Sequence, residues 1–223
     1  MTILTSAENF SHDGLQQLEM RLRRARLGLG VGVLGIVMVF VSFTSAYIVR
    51  QGLPTLDPRT NTLVHDWLPL PLPALLLFNT GLLLISSVTI TLARRQVERF
   101  TTSSHTATVP NIFVGREGTI LWLALTVVLG LSFLRGQWIV WRELQASGFY
   151  VATSPSSSFI YLLTGTHGAH LLGGIFALLA AGATILFGRT TESRVVVLDV
   201  TAWYWHFMTL LWIYILCLLE LAR

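Results

Sequence analysis

Residues 156–177 read SSSFIYLLTGTHGAHLLGGIFA, and this apolar stretch decides the fold. It is too long for a small soluble core, and it suits a helix that crosses a bilayer, which needs about 20 apolar residues. It carries His167 and His170, three residues apart. Small residues recur at every fourth position and form a small-residue ridge: Gly165, Ala169, Gly173, Ala177 and Ala181. Because lipid supplies little hydrophobic force between helices, this ridge predicts close packing against neighbouring helices.

The composition of the whole chain also favours a lipid environment. Residues of hydrophobic type make up 53% of the 223 positions, and only 12% are charged. Soluble domains are nearer a quarter charged. The net charge of +4 comes from arginines that flank apolar runs, so it predicts a membrane surface and no nucleic-acid partner. The single cysteine, Cys217, lies in an apolar run and is interpreted as a small buried hydrophobe.

Five apolar segments predict an all-α membrane protein, a bundle of five transmembrane helices. They form one transmembrane domain over residues 27–223, and no connection is long enough for a soluble domain. Residues 1–26 are a polar N-terminal segment, read either as a short amphipathic helix on the membrane surface or as a plain tail. The predicted spans are residues 27–49, 72–93, 118–141, 159–187 and 201–221.

The arginines also predict how the chain is oriented. Positively charged residues collect on the cytoplasmic side of membrane proteins. With the N-terminus inside, ten of the fifteen arginines flank the inner ends of the spans, so the N-terminus is predicted to be cytoplasmic and the C-terminus to lie on the opposite side. The ten are Arg21, Arg23, Arg24, Arg26, Arg94, Arg95, Arg99, Arg116, Arg189 and Arg194.

Three histidines fall within predicted spans and are the sharpest candidates for function: His167, His170 and His206. Neutral imidazole can ligate zinc, copper or iron, and spacing three places His167 and His170 on one helix face. No Cys, Asp or Glu is placed to complete a ligand shell around these histidines, so interhelical or lipid-headgroup contacts are preferred to metal or haem ligation. No carboxylate lies in the middle of any span, which argues against a proton pump or an ion-coupled transporter.

Other polar residues inside the spans are assigned mainly to packing. Asn79 and Gln137 are predicted to form interhelical hydrogen bonds, because an unpaired amide in lipid is costly. Arg135 is predicted to extend towards the membrane surface, with a buried salt bridge as the alternative. Trp205 belongs to an aromatic cluster, residues 203–207 (WYWHF), read as an interfacial belt or as a lipid or subunit contact.

Four stretches together resemble subunit III of the haem-copper respiratory oxidases in its five-helix form. Residues 44–50 (TSAYIVR) resemble the end of the family's first shared helix, and GLSF at 130–133 with GQW at 136–138 resembles the end of its third. Residues 161–174, with the two histidines, resemble the fourth helix. The YWHF of residues 204–207, with Trp212, resembles the closing signature. The resemblance covers the chain from about residue 27 to its end.

The resemblance implies an accessory, non-redox subunit of the cytochrome c oxidase type in a bacterial inner membrane. The chain would carry no catalytic centre and bind no haem or copper, which belong to partner subunits. It would brace the catalytic subunit I, contact other oxidase subunits, hold structural phospholipid and support proton uptake during oxygen reduction. Two family features are absent: residues 35–38 (GIVM) lack the acid many relatives carry there, and Thr209 replaces an aspartate. These departures count against intramembrane acids that tune proton entry.

Three alternatives stay open at the level of sequence. The chain could be the equivalent subunit of a quinol oxidase or of a nitric oxide reductase-type complex. It could instead be a stand-alone transporter, although no proline interrupts a span. The third alternative is a membrane metalloenzyme built on His167 and His170.

Overall fold

Five α-helices contain most of the residues that the computed structural model describes, which are 2–56, 61–64, 67, 74–103, 112–151, 153–187 and 191–221. A two-residue strand pair, Thr55–Leu56 (β1) with Leu63–Val64 (β2), runs antiparallel after the first helix. The helices are α1 (Thr2–Gly52), α2 (Leu75–Ser103), α3 (Ile112–Ala146), α4 (Pro155–Leu186) and α5 (Thr191–Leu221).

Each helix includes an apolar segment long enough to cross a membrane, which confirms the predicted five-helix membrane fold. The segments are Gln16–Gly52, Leu75–Val97, Glu117–Ala146, Pro155–Leu186 and Ser193–Leu221. They extend past most of the predicted spans, because hydropathy detects only residues suited to lipid whereas a helix continues until its hydrogen bonding is interrupted.

The N-terminal segment differs from its prediction as a separate short helix or tail. Helix α1 runs without a break across the expected boundary at residue 26 and ends at Gly52, two residues before Pro54. Leu, Gln, Glu, Met and Arg dominate residues 15–27 and all favour helix, and Pro54 is the first proline of the chain. At 1.5 Å per residue, 51 residues span about 77 Å, so α1 extends well beyond a hydrocarbon layer of about 30 Å.

Helix α1 is peripheral, and the other four helices form the packed body. In the described residues α2 packs on α3 and α5, and α4 packs on α3 and α5. Of the other helices, α1 packs only on α4 and α5. Only 6% of the apolar segment of α1 is buried, against 44% of that of α5. Helix α5 is therefore the central helix of the bundle.

Trp205 on α5 contacts all three of the other helices in the packed body. Its side chain is fully buried, and its indole Nε1 donates to Ser86 Oγ of α2 at 2.9 Å. Two glycines make room for the ring: a Cβ on Gly130 of α3 would lie 2.8 Å from the indole, and one on Gly174 of α4 would lie 3.2 Å from it. One side chain thus fixes the approach of three helices to α5.

The packed face of α4 coincides only in part with the small-residue ridge. Buried positions include Thr164, His167 and Leu171, each one position before or two positions away from a ridge member. Within this chain Gly165 and Ala177 are half-buried, Ala181 is buried, and Ala169 and Gly173 are exposed. One residue rotates a helix face by about 100°, so the ridge lies at the edge of the packed face. That the whole ridge faces protein stays a prediction.

Candidate functional site

A buried carboxylate joins three helices at one end of the bundle, named here the arginine end. Asp199 of α5 is 3% exposed. Arg26 of α1 donates to it from Nε at 2.8 Å and from Nη2 at 3.1 Å, and Arg94 of α2 lies 3.0 Å from its Oδ1. The two arginines share one carboxylate and keep part of their side chains exposed. This ionic clamp ties the peripheral helix α1 to the packed body.

Asp199 was missed as a site residue, because the fifth span was predicted to begin only at residue 201. In the structure α5 begins at Thr191, and the carboxylate is buried because two arginines compensate its charge. The one sequence signal was that Arg26, Arg94 and Asp199 all fall at predicted inner ends of spans. Which acid pairs with which arginine depends on helix packing, and the sequence does not encode that directly.

A ladder of polar contacts joins α5 to α2 above the clamp. His206 Nδ1 lies 2.5 Å from Ser87 Oγ, and its Nε2 lies 3.3 Å from Thr91 Oγ1. Trp212 Nε1 donates to Thr80 Oγ1 at 3.0 Å. Together with the hydrogen bond from Trp205, these contacts move towards lower residue numbers on α2 as the residue numbers on α5 increase, because the two helices are antiparallel. His206 therefore has interhelical hydroxyl partners on both ring nitrogens.

An apolar groove lies between α1 and α5 beside the clamp. Its volume is about 550 Å³, and its walls are almost entirely hydrocarbon, with His206 at one side. The other lining residues are Arg26, Leu29, Gly30, Val33, Trp203, Phe207 and Leu210. The guanidinium of Arg26 therefore stands next to an apolar channel, and this arrangement suits an acyl chain with an anionic headgroup.

Three further predicted site residues form a buried amide–imidazole cluster, defined as Asn79 of α2, Gln137 of α3 and His167 of α4. All three side chains are at least nine-tenths buried. Within the described part of the chain, none of their side-chain nitrogens or oxygens has a hydrogen-bond partner. The interhelical hydrogen bonds predicted for Asn79 and Gln137 are therefore absent between the described residues.

His167 and His170 point to different neighbours. The His167 ring packs against Trp212 with centroids 5.1 Å apart and against Phe133 at 5.8 Å. The His170 ring lies 6.1 Å from Phe40 of α1, and its Nδ1 is 2.8 Å from the carbonyl of Thr166 in its own helix. Among the described residues, no group of three or more His, Cys, Asp or Glu side chains is placed to hold a metal ion.

Two other residues lie on the surface of the bundle. Arg135 is exposed on α3, and its extension towards the membrane surface stays a prediction. Cys217 is exposed on α5, so its interpretation as a buried residue is wrong. An apolar run in a membrane helix has positions inside the bundle and positions on its outer surface, and hydrophobicity alone does not separate the two.

The helices and their polar contacts define a multi-pass helical membrane protein in which His206, Trp205, Trp212 and Asp199 join helices to one another. The model of the family described as cytochrome c oxidase subunit III matches residues 13–220. The chain belongs to the cytochrome c oxidase subunit III family.

Individual relatives agree with this family. A probable cytochrome c oxidase subunit 3 of Mycobacterium tuberculosis is 29% identical over 116 residues, which cover 50% of this chain and 57% of the relative. The cytochrome c oxidase subunit 3 of Branchiostoma lanceolatum is 30% identical over 191 residues, covering 85% of this chain and 66% of the relative. That of Drosophila yakuba is 29% identical over 195 residues, with the same coverages of 85% and 66%. The matched region thus spans less than two thirds of each of these relatives.

Proposed function

We propose that this chain is an accessory, non-redox subunit of an aerobic terminal oxidase of the cytochrome c oxidase type. The family match over residues 13–220 is the observation that carries the proposal. In this role the chain packs against the catalytic subunit I, which holds haem and copper with the other oxidase subunits, and supports proton uptake during reduction of oxygen to water. The complex lies in a bacterial inner membrane, with the N-terminus of this chain cytoplasmic and its C-terminus periplasmic or extracellular.

The polar chemistry of the bundle supports a bracing role. Asp199 is neutralised by two arginines, and His206 and Trp205 contact hydroxyl groups of α2. These groups are used in holding helices together. A bundle held together in this way presents a fixed surface to a neighbouring subunit, because hydrogen bonds and ion pairs between the helices limit how they move against one another.

Haem spectra test whether redox chemistry belongs to partner subunits. A complex captured through a tag on this chain is expected to show the same reduced-minus-oxidised haem spectrum and copper content with His167→Ala or His206→Ala as without them. Loss of haem or copper in proportion to either substitution would overturn the non-redox role.

Assays of the same preparation with reduced cytochrome c and with quinol identify the electron donor, and oxidation of quinol alone would assign the chain to a quinol oxidase instead.

The apolar groove is the proposed binding site of a structural phospholipid. An acyl chain would cover the apolar side chains that line the groove. At the arginine end, the half-exposed guanidinium of Arg26 would contact the anionic headgroup of the same lipid. A lipid in this position fills the space between the peripheral helix α1 and the central helix α5. It would therefore complete the contact that the ionic clamp begins.

Filling the groove is expected to remove this lipid. Gly30 lines the groove and has open space where a Cβ would stand, so Gly30→Phe places a ring in the lipid's volume without a clash at the backbone. Native mass spectrometry of the purified complex should then show one retained phospholipid fewer. Gly28→Phe is the matched control, since Gly28 has equal space on the same helix but does not line the groove. Equal lipid retention by both variants would contradict the assignment.

A further inference from the structure

We infer that the amide–imidazole cluster of Asn79, Gln137 and His167 is a binding site for internal water. Three polar side chains from three different helices are at least nine-tenths buried, and all six of their nitrogen and oxygen atoms lack a hydrogen-bond partner among the described residues. Buried polar groups in folded proteins are almost always hydrogen-bonded, either to protein or to ordered water. This is the largest set of orphaned polar atoms in the described part of the chain.

Packing contacts bring the three side chains to one level of the bundle. The carboxamide of Asn79 lies directly against Gly136, the residue before Gln137 on α3. One turn earlier on the same helix, Phe133 packs edge-on against both His167 and Trp212, with ring centroids 5.8 Å and 4.8 Å away. Trp212 in turn bonds to Thr80, the neighbour of Asn79. The cluster is thus enclosed by α2, α3, α4 and α5.

The chemistry of the cluster selects a small neutral ligand. Each amide offers one acceptor and two donor hydrogens, and a neutral imidazole offers one of each, so the site can both donate and accept. It contains no carboxylate or thiolate for a hard or soft metal ion, and no cation for an anion. A buried water typically makes about three hydrogen bonds to groups that would otherwise be unsatisfied, and three side chains with such groups lie at this level of the bundle.

A cryo-electron microscopy map that resolves ordered waters tests the site directly. The full chain, purified with its accompanying subunits in lipid nanodiscs, should show at least one density peak that is not protein. That peak should lie within hydrogen-bonding distance of two or more cluster side chains. If Asn79, Gln137 and His167 are instead bonded directly to one another with no such peak, the inference fails.

Thermal unfolding supplies a second test. Whether His167→Phe lowers or raises the unfolding midpoint decides if a water is bound at the cluster. His167→Phe replaces the imidazole with an aromatic ring that has no nitrogens, so the bound water loses a partner and the unfolding midpoint should fall. Combined with Gln137→Leu, the fall should be smaller than the sum of the single effects, because both substitutions remove contacts to the same water. If the nitrogens of His167 had no ligand, His167→Phe would raise the midpoint, and that result would overturn the inference.

His170→Phe is the matched control for this experiment. His170 lies one turn along the same helix, is only partly buried, and bonds to a carbonyl of its own helix. Its substitution should change the midpoint by less than His167→Phe does, and it should be additive with Gln137→Leu. Coupling of His170 to Gln137 as large as that of His167 would point to a general effect of histidine removal and would contradict the site.

Discussion

Trp205→Ala is expected to destabilise the bundle more than any other single truncation. The side chain is fully buried and belongs to the largest residue type, and Gly130 and Gly174 flank it with no side chains that could move into the space it leaves. Truncation of a buried tryptophan costs about 3–5 kcal/mol, and the cost is higher where a site cannot collapse. Loss of the indole N–H also leaves Ser86 without its donor, for about 1 kcal/mol more.

The measurement is the free energy of unfolding of the full chain in detergent or nanodiscs. Trp203→Ala is the control, since Trp203 is two residues away on the same helix but is 53% exposed, and its removal should cost far less. Trp205→Phe keeps most of the ring volume and loses the hydrogen bond, so its effect should fall between the two. If Trp205→Ala were no more destabilising than Trp203→Ala, the central role of Trp205 would be wrong.

The second large effect is expected from removing both arginines of the ionic clamp. After Arg26→Gln or Arg94→Gln alone, Asp199 keeps one arginine, so each single substitution should cost only about 1 kcal/mol. The double substitution leaves a buried carboxylate without a countercharge, and breaking a buried pair in this way costs about 3–5 kcal/mol. The double variant should therefore be less stable than the sum of the single effects predicts.

A double-mutant cycle on unfolding free energies measures this coupling. The control cycle uses Arg24→Gln and Arg95→Gln, which remove the same charge from exposed neighbouring positions of α1 and α2. Those effects should be small and additive. Additivity in the Arg26 and Arg94 cycle would mean that Asp199 does not depend on the pair. A large loss in the control cycle would attribute the effect to net charge.

The two predictions concern different links in the bundle. Trp205 joins α5 to the other helices of the packed body, whereas the clamp at Asp199 is one of the contacts that attach α1 to it. Because so little of α1 is buried against the rest of the chain, its attachment depends strongly on a few directional contacts. Tyr214 and Thr44 provide another, with a hydrogen bond of 2.9 Å between α5 and α1.

The overall fold could be predicted because its cause is local to each segment. Five runs of apolar residues of bilayer length require five helices, since a chain in lipid must satisfy its backbone hydrogen bonds internally. The ends of the helices were less predictable. Helix α4 begins at Pro155 because Ser154 and Ser157 form a reciprocal cap, and hydropathy is insensitive to that signal. Helix α5 begins ten residues before its predicted span, because the charged residues of its first turns, Asp199 among them, lower the hydropathy from which the span was predicted.

The sequence by itself determined that this is a five-helix membrane protein of the subunit III family and that its polar residues within the spans are few and worth naming. Only the tertiary structure decided what those residues contact. It paired Asp199 with Arg26 and Arg94, and it turned His167 and His170 towards different helices. The physical reason is that hydropathy and helix period act along one segment, whereas burial and hydrogen bonding depend on how each helix is rotated against its neighbours.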